Sequence, residues 1–310
     1  MTSDPFTPDI FVIGGAHIDR IGRSTARLEP GQSNPGALSR NVGGVAGNIA
    51  RCLAKLQWKV ALSTISGQDD DATLLKQQLQ DAGIDISLLL ESPSHRSATY
   101  TAIEDSDGSL VAAIADMAIY ESYPVGEIIN CLDALPSATR LIADTNLSAT
   151  ALEALALHKG THPLAISAVS GPKANRAQNI LKHIDLLFCN EAEAAILADE
   201  YADLAALPEI LMEAGVTSGI ITKGNAGLSA WKDGQQWSLP APPVKVKSTN
   251  GAGDTLTACV LHALLQAATF EKALRYGMAG ASLSLMSDQA VPDILNRPVL
   301  ESCIADIPQS

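Results

Sequence analysis

The heptad Ser248-Thr249-Asn250-Gly251-Ala252-Gly253-Asp254 leads directly into an apolar run from Thr255 to Leu265. Two glycines around an alanine leave the backbone uncrowded, so that successive N–H groups can converge on one anion. The apolar run predicts a helix, whose unpaired first amides and dipole add positive potential at the same point. The stretch therefore predicts an anion hole at the start of a helix.

Asp254 stands at this helix start, although a carboxylate would repel a bound anion. The carboxylate fits if it takes a proton from a hydroxyl that attacks a phosphoryl group held by the amides. The alternative is an acidic helix N-cap after a glycine turn, which is common in α/β proteins. The heptad alone leaves both interpretations open.

Composition limits the classes of partner. The chain has 310 residues, 46% of them hydrophobic, which is enough for one large α/β domain or for two domains. Its net charge of −13 argues against nucleic acid or an anionic membrane as a partner, because proteins that bind these usually present a basic face. A phosphorylated ligand would need local compensation by amides, a metal ion and a few basic side chains.

The five cysteines are widely spaced, and no CxxC occurs. We therefore expect small core residues in a reducing compartment. The N-terminal residues lack the basic and apolar regions of a signal peptide, and no apolar run reaches membrane-spanning length. These features predict a cytoplasmic protein without a membrane partner.

A strand pattern at residues 10–13 opens the chain, and helical and strand patterns alternate from about residue 124. Such alternation predicts a parallel sheet with helices on both faces. The predicted strands in the alternating part are 140–144, 163–168, 185–189 and 218–222, and the predicted helices are 124–134, 148–158, 172–183 and 204–214. A hairpin at 227–239 and helices at 251–266 and 270–287 complete the prediction.

Two segments predict a smaller, separate antiparallel sheet. Residues 21–42 are polar and rich in glycine and proline, which is typical of a surface loop or a thin strand pair. Residues 98–103 and 110–115 flank an Asp107-Gly108 turn and predict a hairpin. Between these segments, residues 69–71 are three aspartates that we interpret as the solvated start of a helix.

A second glycine-rich stretch, Gly43-Gly44-Val45-Ala46-Gly47-Asn48, precedes an apolar helical face that begins at Ile49. This pattern predicts a loop that feeds a helix. The glycines would let a ligand approach the backbone, and Asn48 could offer a donor and an acceptor to a pair of sugar hydroxyls. The alternative is a glycine turn that permits close helix packing.

Polar clusters follow two of the predicted strands, where ligands bind in open α/β sheets. Asn190-Glu191-Ala192-Glu193 comes after strand 185–189, and Thr222-Lys223-Gly224, with Gly227, ends strand 218–222. No GxxxxGK[ST] motif is present, so a phosphate site would not be a P-loop.

Four motifs, in this order along nearly the whole chain, resemble the PfkB (ribokinase-like) family of carbohydrate and nucleoside kinases. They are Gly43-Gly44-x-x-x-Asn48-x-Ala50, Asn190-x-x-Glu193, Thr222-Lys223-Gly224 with Gly227, and Thr249 to Asp254. The resemblance implies a three-layer α/β/α sandwich with a mostly parallel central sheet. It also implies a single kinase domain over residues 1–310, with a β-sheet lid from segments 16–42 and 97–115, and an ATP- and Mg²⁺-dependent phosphotransferase with an alcohol acceptor.

The resemblance also implies roles for the matching positions. Asp254 would be the general base, and the anion hole would be formed by Gly251, Ala252 and Gly253. The sugar hydroxyls would be held by Asp19, Gly43, Gly44 and Asn48. ATP would lie against Asn190, Thr222, Gly224, Gly227 and Ser282, and Glu193 would organise Mg²⁺ through water.

Three short runs resemble the pseudouridine-phosphorylating members of this family: Ser33-Asn34-Pro35-Gly36, Ala113 to Met117 and Ala143 to Ser148. They imply the 5′-hydroxyl of pseudouridine as the acceptor and add Asn34 and Asp116 to the substrate-binding candidates. Asp116 would otherwise simply end a hairpin. The alternatives are another sugar or nucleoside, such as ribose or adenosine, or a regulatory protein that binds such a ligand without turnover.

Two departures from the family pattern lie near the site. Ser248 and Asn250 replace an acidic residue and a threonine in a region that shapes a monovalent-cation site in some relatives, so K⁺ activation is left open. Ser167-Ala168 replaces a common Asp-Pro pair.

Lys173 could reach a phosphate or be solvated. Because the lid pairs subunits in many relatives, a homodimer through the lid is a further expectation.

Overall fold

The computed structural model describes residues 7–198 and 203–307. The strands in these ranges are β1 (Ile10–Ile13), β2 (His17–Ser24), β3 (Gly36–Gly43), β4 (Val60–Ser63), β5 (Ile65–Ser66), β6 (Leu90–Glu91), β7 (Thr99–Glu104), β8 (Leu110–Asp116), β9 (Arg140–Asp144), β10 (Leu164–Ser167), β11 (Leu186–Asn190), β12 (Ser218–Thr222), β13 (Leu228–Lys232) and β14 (Gln235–Leu239). The α-helices are α1 (Val45–Lys55), α2 (Asp70–Asp81), α3 (Val125–Ala134), α4 (Ala149–His158), α5 (Gly171–Ala174), α6 (Glu191–Leu197), α7 (Leu207–Glu213), α8 (Ala252–Leu265), α9 (Phe270–Leu285) and α10 (Arg297–Cys303).

An eight-stranded sheet in the order β14-β13-β12-β11-β10-β9-β1-β4 forms the middle layer. Its strands are parallel from β4 to β12, and the hairpin β13–β14 adds an antiparallel edge. Side chains alternate between the two faces: Ile10 and Val12 belong to a core with α1, α2, α8, α9 and α10, whereas Phe11 and Ile13 belong to a core with α3 to α7. The predicted three-layer arrangement is confirmed.

A separate small sheet has the order β3-β2-β7-β8. The pairs β2–β3 and β7–β8 are antiparallel, as predicted, but β2 and β7 pair in parallel. The expectation of a purely antiparallel sheet was therefore wrong at its centre. The reason is geometric, because β2 and β7 both run outward from the large sheet before their hairpins return.

The second glycine-rich stretch becomes helical earlier than predicted. Gly44, with a φ of 85°, is the N-cap of α1, so Gly47 and Asn48 are helical. An added Cβ at Gly44 would lie 2.4 Å from the Gly15 carbonyl oxygen, and one at Gly47 would lie 3.1 Å from the Ala16 Cβ. The glycines therefore allow α1 to pack closely against the link between β1 and β2.

Other predicted elements differ in detail. Helices α6 and α10 were not predicted, and both are short. The predicted helix 172–183 is α5 followed by a 3₁₀ helix, and the predicted helix 204–214 begins only at Leu207. The predicted domain limits, residues 1 and 310, lie outside the described residues.

The aspartates before and within α2 are not uniformly solvated. Asp70 is exposed, but Asp69 caps the helix and accepts the Ala72 N–H, and Asp71 is only 4% exposed. The carboxylate of Asp71 pairs with Arg20 and Arg40 of the small sheet. The prediction of a solvated helix start is wrong for Asp71, because its partners come from distant strands.

The cysteines are free thiols, as the sequence predicts, and all except the partly exposed Cys303 are buried. Within residues 7–198 and 203–307, no helix is both long enough and apolar enough to cross a membrane.

His262 on α8 is a fully buried histidine in the core beside α1. Its Nδ1 accepts the indole N–H of Trp58 at 2.9 Å, so this nitrogen carries no proton. Burial lowers the pKa of His262 to about 4, and the charge of Arg297 acts in the same direction. The folded chain therefore keeps this imidazole neutral under mildly acidic conditions.

Stability should therefore fall as the pH decreases from about 6.5 to about 4, because the unfolded chain protonates His262 in this window and the folded chain does not. We expect His262→Gln to remove this component, worth up to about 3 kcal/mol, in urea unfolding at pH 7 and pH 4.5. His158→Gln, at an exposed histidine, is the control. An unaltered pH dependence in the His262 variant would contradict the assignment.

Candidate active site

The two glycine-rich stretches meet through a hydrogen bond between side chains 206 residues apart. Asn48 Nδ2 donates to Asp254 Oδ2 at 2.8 Å, where α1 packs against α8. Asn48 is 4% exposed, and its Oδ1 is a buried acceptor that no donor of the described residues satisfies. Since an unpaired buried acceptor is costly, this oxygen fits a ligand hydroxyl.

Asp254 lies in the first turn of α8 and has a strongly perturbed acidity. Burial raises its pKa to about 7, and the charges of Asp144, Asp19 and Glu193 act in the same direction. The hydrogen bond from Asn48 opposes these effects. A carboxylate that is about half ionised at neutral pH suits general-base chemistry.

Gly251 and Gly253 differ in their surroundings. Gly251 is the N-cap of α8 with a φ of 77°, and an added Cβ there would lie 2.2 Å from the Ala290 carbonyl oxygen. An added Cβ at Gly253 would have no atom within 4 Å. Gly251 therefore shapes the turn, while Gly253 leaves the first amides of α8, which have no intrahelical acceptor, open to an anion.

Asp19 on β2 lies over the glycine pair at the start of α1. An added Cβ at Gly43 would lie 2.1 Å from Asp19 Oδ2, so only glycine leaves room for this carboxylate. His17 Nε2 is 3.2 Å from Asp19 Oδ1, and the His17 Nδ1 lies 3.2 Å from the Tyr120 hydroxyl. The carboxylate is thus held at the base of the small sheet.

Asn190 and Glu193 form a capping box at the start of α6. Asn190 Oδ1 accepts the Glu193 N–H, and Glu193 Oε2 accepts the Asn190 N–H, each at 2.9 Å. Burial raises the pKa of Glu193. The described residues include no cluster of three or more His, Cys, Asp or Glu that could hold a metal ion. This single carboxylate fits Mg²⁺, which usually keeps several waters and takes its other ligands from bound phosphates.

A cavity of about 220 Å³ joins several predicted site residues, namely Asn190, Glu193, Thr222, Gly253 and Asp254. The cavity therefore connects the predicted base, Asp254, to the predicted metal and nucleotide positions. Gly224 and Gly227, which follow β12, differ in their surroundings. An added Cβ at Gly227 would lie 2.0 Å from the Leu239 carbonyl oxygen, whereas one at Gly224 would have no atom within 4 Å.

The polar contacts of three candidates, Asn34, Asp116 and Ser282, lie elsewhere. Asn34 is at the far tip of the β2–β3 hairpin, where its amide bonds Glu29 and Gln32. Asp116 pairs with Thr99 at the end of β8, on the face of the small sheet opposite Asp19. The Ser282 hydroxyl donates to the Met278 carbonyl within α9 at 2.8 Å.

Asp144, at the carboxyl end of β9, is an organising residue that the motifs did not single out. It is 1% exposed and accepts N–H groups from Gly15 at 3.0 Å, Ala46 at 2.9 Å and Asn146 at 2.8 Å. Burial raises the pKa of Asp144, and these hydrogen bonds lower it. The sequence signals were the end of a predicted strand and the run Ala143 to Ser148, and neither gave Asp144 a role.

Lys173 is partly buried, so the solvated interpretation was wrong. Its Nζ donates to Asn146 Oδ1 at 2.7 Å. Burial lowers its pKa, while the charge of Asp144 raises it. The amine therefore belongs to the polar network of Asp144 and Asn146.

The chain is similar in sequence to a family of carbohydrate kinases and to two kinases of Escherichia coli. The sequence model of the pfkB family carbohydrate kinases matches residues 7–295. An uncharacterized sugar kinase of Escherichia coli K12 is 29% identical over 296 residues, covering 94% of this chain and 80% of that protein. The pseudouridine kinase of the same organism is 27% identical over 282 residues, covering 89% of this chain and 90% of that protein.

Solved structures share the fold. A carbohydrate kinase from Agrobacterium tumefaciens superimposes with a TM-score of 0.86 at 33% identity, covering 97% of this chain and 98% of that one. Arabidopsis thaliana ribokinase, solved with ribose and ATP, superimposes with a TM-score of 0.81 at 20% identity, covering 96% of this chain and 99% of that one. The ribokinase-like fold expected from the motifs is confirmed.

The ionised Asp254 should reduce stability at neutral and higher pH. The unfolded chain ionises this group above about 3.8 and the folded chain only above about 7, so stability is lost as the pH rises through this window. We expect Asp254→Asn to raise the free energy of unfolding in urea by about 1–4 kcal/mol at pH 8, and by less at pH 5. Asp288→Asn, at an 80% exposed aspartate, is the control. An equal gain at both pH values would rule out this cause.

Proposed function

Because the chain belongs to the pfkB family of carbohydrate kinases, it is a phosphotransferase that acts on a sugar or nucleoside hydroxyl, and we propose that its acceptor is the 5′-hydroxyl of pseudouridine. The observation that carries the kinase mechanism is the Asp254 carboxylate, with a pKa near 7, at the open start of α8. The choice of pseudouridine is supported by the 27% identity to a pseudouridine kinase and by the short runs around Asn34, Asp116 and Asp144.

In this proposal Asp254 accepts the proton of the 5′-hydroxyl while the hydroxyl oxygen attacks the γ-phosphorus of ATP. A new O–P bond forms, the bond from the γ-phosphorus to the β,γ-bridging oxygen breaks, and ADP leaves with the electron pair. The amides at Gly251 to Gly253 stabilise the charge on the transferred group. Removing one donor of this kind typically costs about 3 kcal/mol of barrier.

The acceptor would be held between the small sheet and α1. The unpaired Oδ1 of Asn48 accepts one hydroxyl, and the carboxylate of Asp19 accepts another. Gly43 and Gly44 supply the close backbone approach. Because Asn48 also donates to Asp254, the same side chain would align the sugar and the base.

The nucleotide would extend from the cavity beside Asp254 along Thr222 and Gly224. Glu193 and Asn190 would hold Mg²⁺ through water, and the ion would neutralise phosphate charge. We assign no role to K⁺. The Ser284 hydroxyl already lies 3.4 Å from the Asn250 carbonyl oxygen and 3.5 Å from that of Ala290, and Ser248 Oγ accepts the Asn250 N–H.

The small sheet would act as a lid within a single kinase domain. Its strands β2 and β7 leave the large sheet side by side and carry Asp19 over the acceptor position. Consumption of ATP and five free cysteines suit the cytoplasm.

The function is tested by measuring ADP release with pseudouridine, uridine, adenosine, ribose and fructose. We expect the highest kcat/KM for pseudouridine. Asp254→Asn should lower kcat by about 10²–10⁴-fold, because it removes the base, while the Kd for the acceptor changes little. Asp288→Asn should behave as the unaltered protein.

The possible results distinguish the identity of the acceptor from the kinase activity itself. Activity on ribose without activity on pseudouridine would refute the acceptor but keep the kinase. Ligand binding without ADP release from any acceptor would favour the regulatory alternative.

The outer face of the lid suggests a homodimer. Leu38, Ile103 and Ile114 lie on the face opposite Asp19, and they are 89%, 40% and 73% exposed. Large apolar side chains grouped on one sheet face are typical of an interface. We therefore extend the proposal to a dimer in which two lids pack through this face.

Sedimentation velocity should show a dimer at micromolar concentration, and Ile114→Glu should convert it to a folded monomer, because the carboxylate would be buried in the interface. Leu157→Glu, at a 68% exposed leucine on α4, is the matched control and should remain dimeric. A monomeric unaltered protein would contradict the proposed assembly.

A further inference from the structure

Asp71 joins the small sheet to α2 through a buried carboxylate. It is 4% exposed in the first turn of α2, although the adjacent Asp70 is exposed. One carboxylate oxygen accepts from Arg20 Nη2 and the other from Arg40 Nη2. The two guanidinium groups are about half exposed, so the buried partner is the carboxylate.

Arg20 and Arg40 face each other directly across β2 and β3. Like charges directly opposite each other repel and destabilise a strand pair. The carboxylate of Asp71 between them replaces this repulsion with two ion pairs. The three side chains therefore form a single unit, which we call the lid clamp.

The lid clamp lies directly behind the acceptor side of the sheet. Asp19 precedes Arg20, and its cross-strand partner Asn41 follows Arg40. Because successive side chains point to opposite faces, Asp19 lies on the face away from Asp71. A movement of the arginines relative to α2 would therefore also displace Asp19, whose carboxylate lies against Gly43.

The start of α2 also binds the residues that lead into β7, in the other half of the small sheet. Asp69 accepts the Ser97 N–H at 2.9 Å and the Ser97 hydroxyl at 2.7 Å, two residues before β7 begins. Both β2 and β7 are therefore bonded to the start of α2. Through these bonds α2 holds the small sheet at its angle.

We propose that Asp71 is a positioning residue for the acceptor site. Through Arg20 and Arg40 it sets the angle of the lid over α1 and, with it, the position of the Asp19 carboxylate relative to the acceptor hydroxyls. The inference rests on the proposed function, because that function gives Asp19 its contact with the acceptor. It requires no contact between Asp71 and any substrate.

The kinetic test compares Asp71→Asn with Asp70→Asn, its exposed neighbour in the same helical turn. For the best acceptor of the panel, Asp71→Asn should raise KM about tenfold, since a small displacement of a positioning group weakens binding markedly. kcat and the KM for ATP should change less than about twofold. Arg40→Met should raise the acceptor KM in the same way. Arg40→Lys, which keeps the charge, should have an acceptor KM closer to that of the unaltered protein.

Hydrogen exchange of the whole protein supplies the second readout. In Asp71→Asn the amides of β2 and β3 should exchange faster, while those of β9 to β11 should remain as protected as in Asp70→Asn. The inference is overturned if acceptor KM and lid exchange are unchanged, or if both KM values rise together with exchange throughout the sheet. If the unaltered protein shows no kinase activity, the proposed function fails, and the exchange result alone still decides whether Asp71 holds the sheet.

Discussion

The carboxylate of Asp144 is the contact on which the acceptor side depends. It collects amides from the end of β1, the start of α1 and the turn after β9. These three segments are distant in sequence, and backbone of the first borders Gly44, the residue that begins α1. A charge buried in this way is tolerated because three donors replace its hydration. The hydrogen bond from Asn48 to Asp254 then extends this framework to α8.

The site concentrates negative charge. Asp19, Asp144 and Glu193 all contribute to the raised pKa of Asp254. An uncharged acceptor enters such a region without electrostatic penalty, whereas an acceptor that already carries phosphate would be repelled. The same charges favour a divalent cation beside the polyphosphate. For the proposed reaction, these charges would favour an unphosphorylated acceptor over a phosphorylated one.

Local patterns predicted the large elements well, because buried strands such as β1 and the glycine-bounded α8 carry their own periodicity and turn residues. The motifs also anticipated that Asn190, Glu193 and Asp254 would share one cavity. Asp71 could not be predicted, since its burial depends on arginines 51 and 31 residues away. The face occupied by Asp116 depended on strand register, about which a short sequence resemblance carries no information.

The pairing of Asn48 with Asp254 has a consequence for biosynthesis. Ribosomes add about 5–20 residues per second, so about 10–40 s separate the synthesis of these two residues. Until α8 emerges, α1 lacks the helix against which it packs, and its apolar face lacks part of its cover. A nascent chain of this protein therefore exposes an incomplete core through most of its translation. This is the period in which chaperone binding would matter most.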